Sequence, residues 1–477
     1  MTITIHPPSA PAAAPPSLRD APAVAELFIG VFRRDLLNFF PQSRFEPVDR
    51  TARPGDVKAG PDFQLIDEPL GGDDPIEVEM FGVRYTLTPR SGGRFSAHDL
   101  RMIRAIGAVG SLRFQHLFQI GHMSRLELYR GGSEDHYVAA FVEPSAYASP
   151  ASRPSRIAST ILTLRTAALS TYENRRVSTG ALLLGSHDDA GRPIRPTAPD
   201  ALPYGAELTS LKSIHRLCDG KRTLFVVDRD GRLADIIDIE RWAAAAASHA
   251  GVEVPCAGAY TAHARATRGG GHVCVVLSPN QEIKLFAGGI QAFAFAHGRW
   301  RILDPAAKFA VWEAAVAHPR LARVLFQTAL DLAEARQGTL FVVVAHPCEA
   351  IGRLIEPLDV LTDDLPCGPP PELTPGDPLA KRALHYLSRG RFVTELDPPV
   401  LEALAGLDGA LATDRNGRLL AFGAILRHDA AAFPITGTVE GARTTAALVA
   451  SRFGAVLKVS EDGVVSCFLN GARVWDL

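Results

Sequence analysis

The sequence carries six cysteines (Cys218, Cys256, Cys274, Cys348, Cys367 and Cys467) but no C-x-x-C pair, and no Cys/His set has the spacing of a zinc site. Scattered thiols of this kind suit a reducing compartment. No phosphate loop is present: Arg268-Gly269-Gly270-Gly271 is glycine-rich but lacks the Gly-Lys-Ser/Thr that would complete one. Neither G-x-S-x-G nor H-E-x-x-H occurs. His116, His122 and His136 are scattered, and the six-residue spacing of the first two is off one helical face, so no metal is expected there. An excess of one charge is also missing. Lys and Arg total 50 against 52 Asp and Glu, a net of −2, so neither nucleic acid nor an anionic membrane is an expected partner. No apolar run is long enough to span a bilayer, and MTITIHPPSAPAAAPPS lacks the basic and apolar regions of a secretory leader. The expected location is the cytoplasm.

What is there is ordinary globular material, 47% apolar and 21% charged over 477 residues, enough for two or three domains. Residues 1–20, rich in Pro and Ala, read as a disordered tail. Residues 24–40 have helical spacing, EVEMFGVRYTLTPR alternates like strand, and residues 98–120 read as one or two helices. LELYRG and HYVAAFVEP are expected strands. From about Lys212 the order clears: helix SLKSIHRLC, strand TLFVVD, turn RDG, strand RLADIID, then VCVVLSP and EIKLFAGG around Asn280, then QAFAF and RWRIL. A helix begins at Ala306, and another runs from Leu321 to Arg336, with Gly338 as its expected C-cap. Strand TLFVVVA, a Pro-rich loop over 363–378, helix LAKRALHYLS, strand RFVTEL, helix PPVLEALAGL and strands GALATD and RLLAFGAIL follow. Helix RTTAALVASRFG and hairpin AVLKVSEDGVVSCFLNG end the chain. Strands alternating with helices predict an α/β fold, with a mixed sheet flanked by helices at the C-terminal end and an α+β region before it.

Two stretches echo one another. TLFVVDRDGRL at 223–233 resembles GALATDRNGRL at 409–419, and HVCVVLSPNQEIKLFAGG resembles GAVLKVSEDGVVSCFLNG in length, polarity and turn position. Either strand–Asp–Arg–Asp/Asn–Gly–strand is simply a good hairpin, or the middle region is a second, degenerate copy of the C-terminal fold. In the second case Asp408 aligns with Arg222 and Glu461 with Pro279, so the copy lacks both acids.

The C-terminal stretch holds the chemistry-bearing pattern: Asp408-Gly409-Ala410, then Gly441-Ala442-Arg443-Thr444-Thr445-Ala446-Ala447, then Ser460-Glu461-Asp462-Gly463. An Asp at a helix-to-strand junction followed by Gly-Ala is expected to be exposed, with small neighbours that let a flat ring or phosphate approach. An Arg at a helix start adds charge where free N–H groups already favour anions. A hairpin Glu offers a second oxygen ligand for a hard cation.

These three motifs, in this order, resemble the diadenylate cyclase family, which condenses two ATP into cyclic di-AMP. GTLFVVV and FVTELDPPVLEALAGLDGA support the likeness, which runs from about Leu321 to Leu477. The resemblance implies that Asp408 binds a metal, Mg²⁺ or Mn²⁺, that Gly409 and Ala410 help form the nucleotide pocket, and that Arg443 contacts the triphosphate. It implies that Gly441, Thr444, Thr445 and Ser460 lie beside the nucleotide and that Glu461 is a second metal ligand. It also implies a homodimer or higher oligomer with facing cyclase domains.

The chain departs from the family where T-R-H-R becomes Ala442-Arg443-Thr444-Thr445. Each missing charge-assisted contact weakens triphosphate binding by about 1.5–3 kcal/mol. The two threonine hydroxyls, Lys458 or Arg452 are the expected substitutes. A catalytically lapsed nucleotide-binding sensor or scaffold is the alternative, and a cyclase for another nucleotide a third reading. By architecture, residues 21–205 resemble a sensor region, 206–318 a middle α/β region and 319–477 the cyclase-like domain.

Overall fold

The computed structural model describes residues 21–41, 43–49, 63–67, 75–89, 95–118, 125–186, 200–210, 214–245, 254–361, 385, 387–427 and 441–477. The expected tail, His122, the Pro-rich loop and most of LAKRALHYLS lie outside the described residues. The chain divides into two compact units, 1–165 with 298–302, and 166–297 with 303–477. The boundary expected near 205 therefore falls inside the second unit.

The first unit is α+β. Helix α1 (Ala21–Phe39) precedes strands β1 (Arg44–Pro47), β2 (Gln64–Asp67), β3 (Ile76–Met80) and β4 (Val83–Thr88), which form an antiparallel sheet in the order β1-β4-β3-β2. Alternation explains the hairpin: Ile76, Val78, Met80, Val83, Tyr85 and Leu87 are buried while their neighbours face outward. Helix α2 (Ala97–Phe118) starts at a reciprocal cap, Ser96 N–H donating to Asp99 at 2.7 Å and Asp99 N–H to Ser96 Oγ at 3.2 Å.

Two expected strands are helical here. LELY is a 3₁₀ turn and Ser133–Val142 is a helix, α3. Every residue from Asp135 to Phe141 is buried, so the polar alternation that separates strand from helix is missing from this short run. Asp135 fixes the start: it accepts from Gly132 N–H at 3.1 Å, from Arg165 at 2.6 Å and from Trp300 Nε1 at 2.8 Å. His136 is held by Tyr147 at 2.9 Å and the Arg130 carbonyl at 3.0 Å, and His116 lies 3.3 Å from the Tyr129 hydroxyl.

Helix α4 (Arg156–Ala168) leads into the second unit, which holds two sheets of one topology. The first half comprises β5 (Thr179–Leu183), β6 (Thr223–Val227), β7 (Leu233–Asp238), α5 (Ile239–Ala245), α6 (Thr261–Ala266), β8 (Val273–Leu277), β9 (Ile283–Ala287) and β10 (Ile290–Ala296). Helices α7 (Pro305–Val316) and α8 (Pro319–Glu334) follow. The second half comprises β11 (Thr339–Val344), α9 (Pro398–Ala405), β12 (Ala410–Asp414), β13 (Leu419–Ala424), α10 (Ala442–Ala450), β14 (Gly454–Val459), β15 (Val465–Leu469) and β16 (Ala472–Asp476).

In the first half six of the sheet's seven strands pair as β10-β9-β8-β5-β6-β7, and in the second all six as β16-β15-β14-β11-β12-β13. In each, only the β5–β6 or β11–β12 pair is parallel. The registers correspond: Ala181 faces Phe225 and Val275, and Val275 faces Leu285, as Phe341 faces Leu411 and Leu457, and Leu457 faces Cys467. The echoed turns match atom for atom. Asp228 Oδ1 accepts from the N–H groups of Asp230 and Arg232 at 2.9 and 2.8 Å, and Asp414 Oδ1 from those of Asn416 and Arg418 at the same two distances. A good hairpin alone does not produce a shared strand order and register across six strands, so the two halves are copies of one fold.

The second half is layered. Phe341, Val343, Leu411, Leu457 and Cys467 pack on α7, α8 and α9, while Leu340, Val342, Ala412, Val456 and Phe468 pack beneath α10. Helix α8 opens with Pro319 after His318, whose Nδ1 accepts from Leu321 N–H at 3.1 Å, and it buries Leu321, Leu325, Phe326 and Leu332. Each such side chain contributes about 2 kcal/mol. Its end differs from expectation. The left-handed residue is Arg336, at φ +59°, and Gln337 N–H reaches back to the Leu332 carbonyl at 2.9 Å, so Gly338 is not the cap. RFVTEL is likewise no strand: Val393–Glu395 is a 3₁₀ turn, tied by Val393 N–H to the Gly417 carbonyl at 2.8 Å.

The two halves meet along the end of α8. Lys284 Nζ lies 3.1 Å from Glu282 and 2.8 Å from Glu334, and Arg336 lies 2.7 Å from the other Glu282 oxygen. Tyr260 donates to Glu334 at 3.2 Å, and Gly258 N–H donates to Asp331 at 2.5 Å. Burial alone would raise the Glu282 carboxyl, but Lys284 and Arg336 outweigh it and hold it below the usual range.

Candidate functional site

The three sequence motifs come together at one end of the C-terminal sheet. Ala410, first residue of β12, pairs with Leu340 near the start of β11, and Thr339 pairs with Val459 at the end of β14. Asp408, Gly338 and Ser460 therefore stand just beyond the same edge of three neighbouring strands. At about 4.8 Å per strand, the Asp408 and Ser460 backbones are about 10 Å apart.

Asp408 is exposed at this edge, and its carboxylate has no partner among the described residues. Gly409 has φ +118°, and a Cβ there would fall 2.5 Å from the Gly423 carbonyl carbon and 2.8 Å from Ala424 N. Its small size thus serves the passage of β13. Ala410 is buried in the cluster beneath α10.

Helix α10 starts after Gly441, φ +79°, at the same edge, and among the described residues no side chain caps its first N–H groups. Arg443 Nη1 donates to Glu461 Oε1 at 2.8 Å, with side chains 41% and 70% exposed. Gly338 lies beneath this pair: a Cβ there would fall on the guanidinium and 3.2 Å from Glu461 Cγ. Thr444 is buried and accepts from Lys458 Nζ at 3.0 Å, whereas Thr445 Oγ1 bonds back to the Gly441 carbonyl at 3.3 Å. Ser460 closes the hairpin through its backbone, donating to Val464 at 2.9 Å and accepting from Gly463 at 2.9 Å.

The expected substitutes for the missing cations part company. Lys458 stands beside Thr444 at the edge. Arg452 follows the far end of α10, with its stem on Gly471. Nothing in the sequence pointed to Gly338 as a site residue; its role shows only once Arg443 and Glu461 are seen to meet over it.

For a divalent metal, Asp408 fits: it is an exposed carboxylate, and a magnesium-type ion is commonly held by one or two carboxylates together with substrate phosphate oxygens. Glu461 fits less well, because its carboxylate is engaged by Arg443. Among the described residues no group of three or more His, Cys, Asp or Glu side chains could hold a metal without a substrate. Among them, too, no helix is long and apolar enough to cross a membrane. In comparisons with known proteins, no family model matches the chain and no curated protein matches it.

Proposed function

We propose that the C-terminal half of the second unit is a diadenylate cyclase, joining two ATP into cyclic di-AMP with release of two pyrophosphates, and that residues 21–318 regulate it. One observation carries this reading: Asp408, the α10 start with Arg443, and the Ser460–Glu461 turn share one sheet edge, although they span more than fifty residues of sequence.

The reaction is a displacement at phosphorus. The 3′-hydroxyl of one ATP, giving up its proton to water, attacks the α-phosphate of the other, the bond to pyrophosphate breaks, and a second such step closes the ring. The protein positions and neutralises charge. Arg443 and the N–H groups opening α10 grip phosphate oxygens, and Arg443 must exchange Glu461 for the nucleotide as it does so. Lys458, beside Thr444, adds a second positive charge at the same edge. Asp408 would hold the Mg²⁺ or Mn²⁺ that arrives with the phosphates; that ion supplies charge neutralisation at the α-phosphate. One edge accommodates one nucleotide, so two copies of the chain must face each other about a two-fold axis.

A second reading, a nucleotide-binding sensor that no longer catalyses, is favoured by the Arg443–Glu461 pair and the buried Thr444, which leave few groups aimed outward. Incubating the full chain with ATP, then separately with GTP, each with Mn²⁺ or Mg²⁺, and separating the products tests both. Cyclic di-AMP supports the cyclase. ATP binding without product supports the sensor. A cyclic product from GTP alone overturns the assignment of ATP.

A further inference from the structure

The first copy has its own cavity, between α5, α6 and the turn before β6. It measures about 350 Å³, and among the described residues it is lined by Lys221, Glu240, Arg265 and Arg268 and by small residues including Gly258 and Ala262. By sequence alignment and strand register, Lys221 stands where the second copy has Leu407, and Arg222 where it has Asp408; Pro279 replaces Glu461. The copy therefore carries neither carboxylate: one position holds Arg222, paired with Asp238 at 3.3 Å, and the other a proline.

We propose that this cavity binds the phosphate groups of a nucleotide without a metal ion and without chemistry. Its basic walls are held in place by the fold. Asp219 Oδ1 accepts from the N–H groups of Lys221, Arg222 and Thr223 at 2.9, 2.7 and 2.9 Å. The fully buried His263 joins the Gly220 carbonyl at 3.0 Å, which locks α6 to the turn that carries Lys221. The Arg268 stem lies against Gly289, where a Cβ would come within 2.7 Å of its Cγ. Several cations converging on one enclosed space, with no carboxylate pair, suit a phosphate group whose charge the protein neutralises directly. The small walls at Ala243, Ala244, Gly258, Ala259 and Ala262 leave room for a flat ring, and the volume is at the lower end of the range for nucleotide-sized ligands.

The site also touches the rest of the second unit. Gly258, in its wall, donates to Asp331 of α8, the helix that ends just before Gly338 and the Arg443–Glu461 pair.

The inference stands apart from the cyclase reading, and titration calorimetry on the full-length chain separates them. ATP, and in a parallel arm inorganic pyrophosphate, is titrated without divalent metal into wild type, Arg443→Ala, and Arg265→Ala/Arg268→Ala. The expected result is that Arg443→Ala keeps one equivalent of bound ATP and that the Arg265/Arg268 variant loses that equivalent, its affinity falling at least tenfold. Lys221→Glu, an exposed position, repeats the loss if the double variant unfolds, as thermal melting would report. Pyrophosphate binding as well as ATP identifies the phosphates as the recognised group, whereas ATP binding alone adds the base to the recognition; either outcome supports the site. Absence of any binding to the Arg443→Ala chain, or binding unchanged by Lys221→Glu and by Arg265→Ala/Arg268→Ala, overturns it. In a further titration with Mn²⁺, Arg443→Ala should lose one equivalent relative to wild type; an unaltered stoichiometry there counts against the C-terminal assignment alone.

Discussion

Arg443 and Glu461, eighteen residues apart in sequence, hold each other at 2.8 Å directly over Gly338. A side chain at 338 would collide with the guanidinium, so Gly338→Ala is expected to push Arg443 off its seat. Because Arg443 is half exposed and flexible, the stability loss should stay below about 1 kcal/mol. Affinity for ATP should fall about tenfold, near 1.4 kcal/mol. Thermal melting and calorimetry read the two effects. Glu461→Gln should act in the opposite direction, tightening ATP binding by releasing Arg443. Equal affinity in all three proteins would show that Arg443 does not meet the nucleotide.

The charged cluster between the two copies is a second target. Lys284 is buried between Glu282 and Glu334, so Lys284→Met leaves Glu334 without its cation and Glu282 with Arg336 alone. Breaking such a pair costs about 3–5 kcal/mol. Urea unfolding at neutral pH should show that loss. A loss under about 1 kcal/mol would mean that Arg336 alone suffices for both acids.

His263 makes stability depend on pH. Burial pushes its imidazole down to about 4, whereas a histidine in the unfolded chain titrates near 6.5. Above 6.5 the ring is neutral in both states and the folded chain keeps its full stability. As pH falls from about 6.5 to about 4, the unfolded chain takes up a proton that the folded one refuses, and up to about 3 kcal/mol is lost before the effect levels off. His263→Gln cannot titrate and can still donate to the Gly220 carbonyl. Its urea midpoint should therefore drop less than that of wild type between about pH 7 and about pH 5. Parallel drops in both proteins would contradict a neutral, buried His263.

Much of this was legible in the sequence because local chemistry fixed it. Asp-Arg-Asn-Gly and Asp-Arg-Asp-Gly carry the turn they form, and alternation revealed the hairpins on either side of Asn280 and Asp462. The order of the motifs was enough to group Asp408, Arg443 and Glu461 before their shared edge was known. Other features depend on partners distant in sequence. The buried run from Asp135 to Phe141 has no polar face to give its period, so it reads as strand although Asp135 makes it a helix. Gly338 looks like a helix cap, but Arg336 takes the left-handed position and the glycine answers to Arg443. The start of the first copy at Thr179, well ahead of the echoed TLFVVD, appears only when Ala181 is seen beside Phe225. The closing strand β16 is short and largely exposed, with little apolar pattern to mark it.

The central claim is that the Asp408 edge performs cyclase chemistry, and a comparison of wild type with Asp408→Asn tests it most directly. Asp408 is exposed, so the variant should melt within a few degrees of wild type, by about the margin expected for a surface change. With ATP and Mn²⁺, wild type should form cyclic di-AMP and release one pyrophosphate for each ATP consumed, while the folded variant forms none. Cyclic di-AMP made by Asp408→Asn at the wild-type rate would contradict the account.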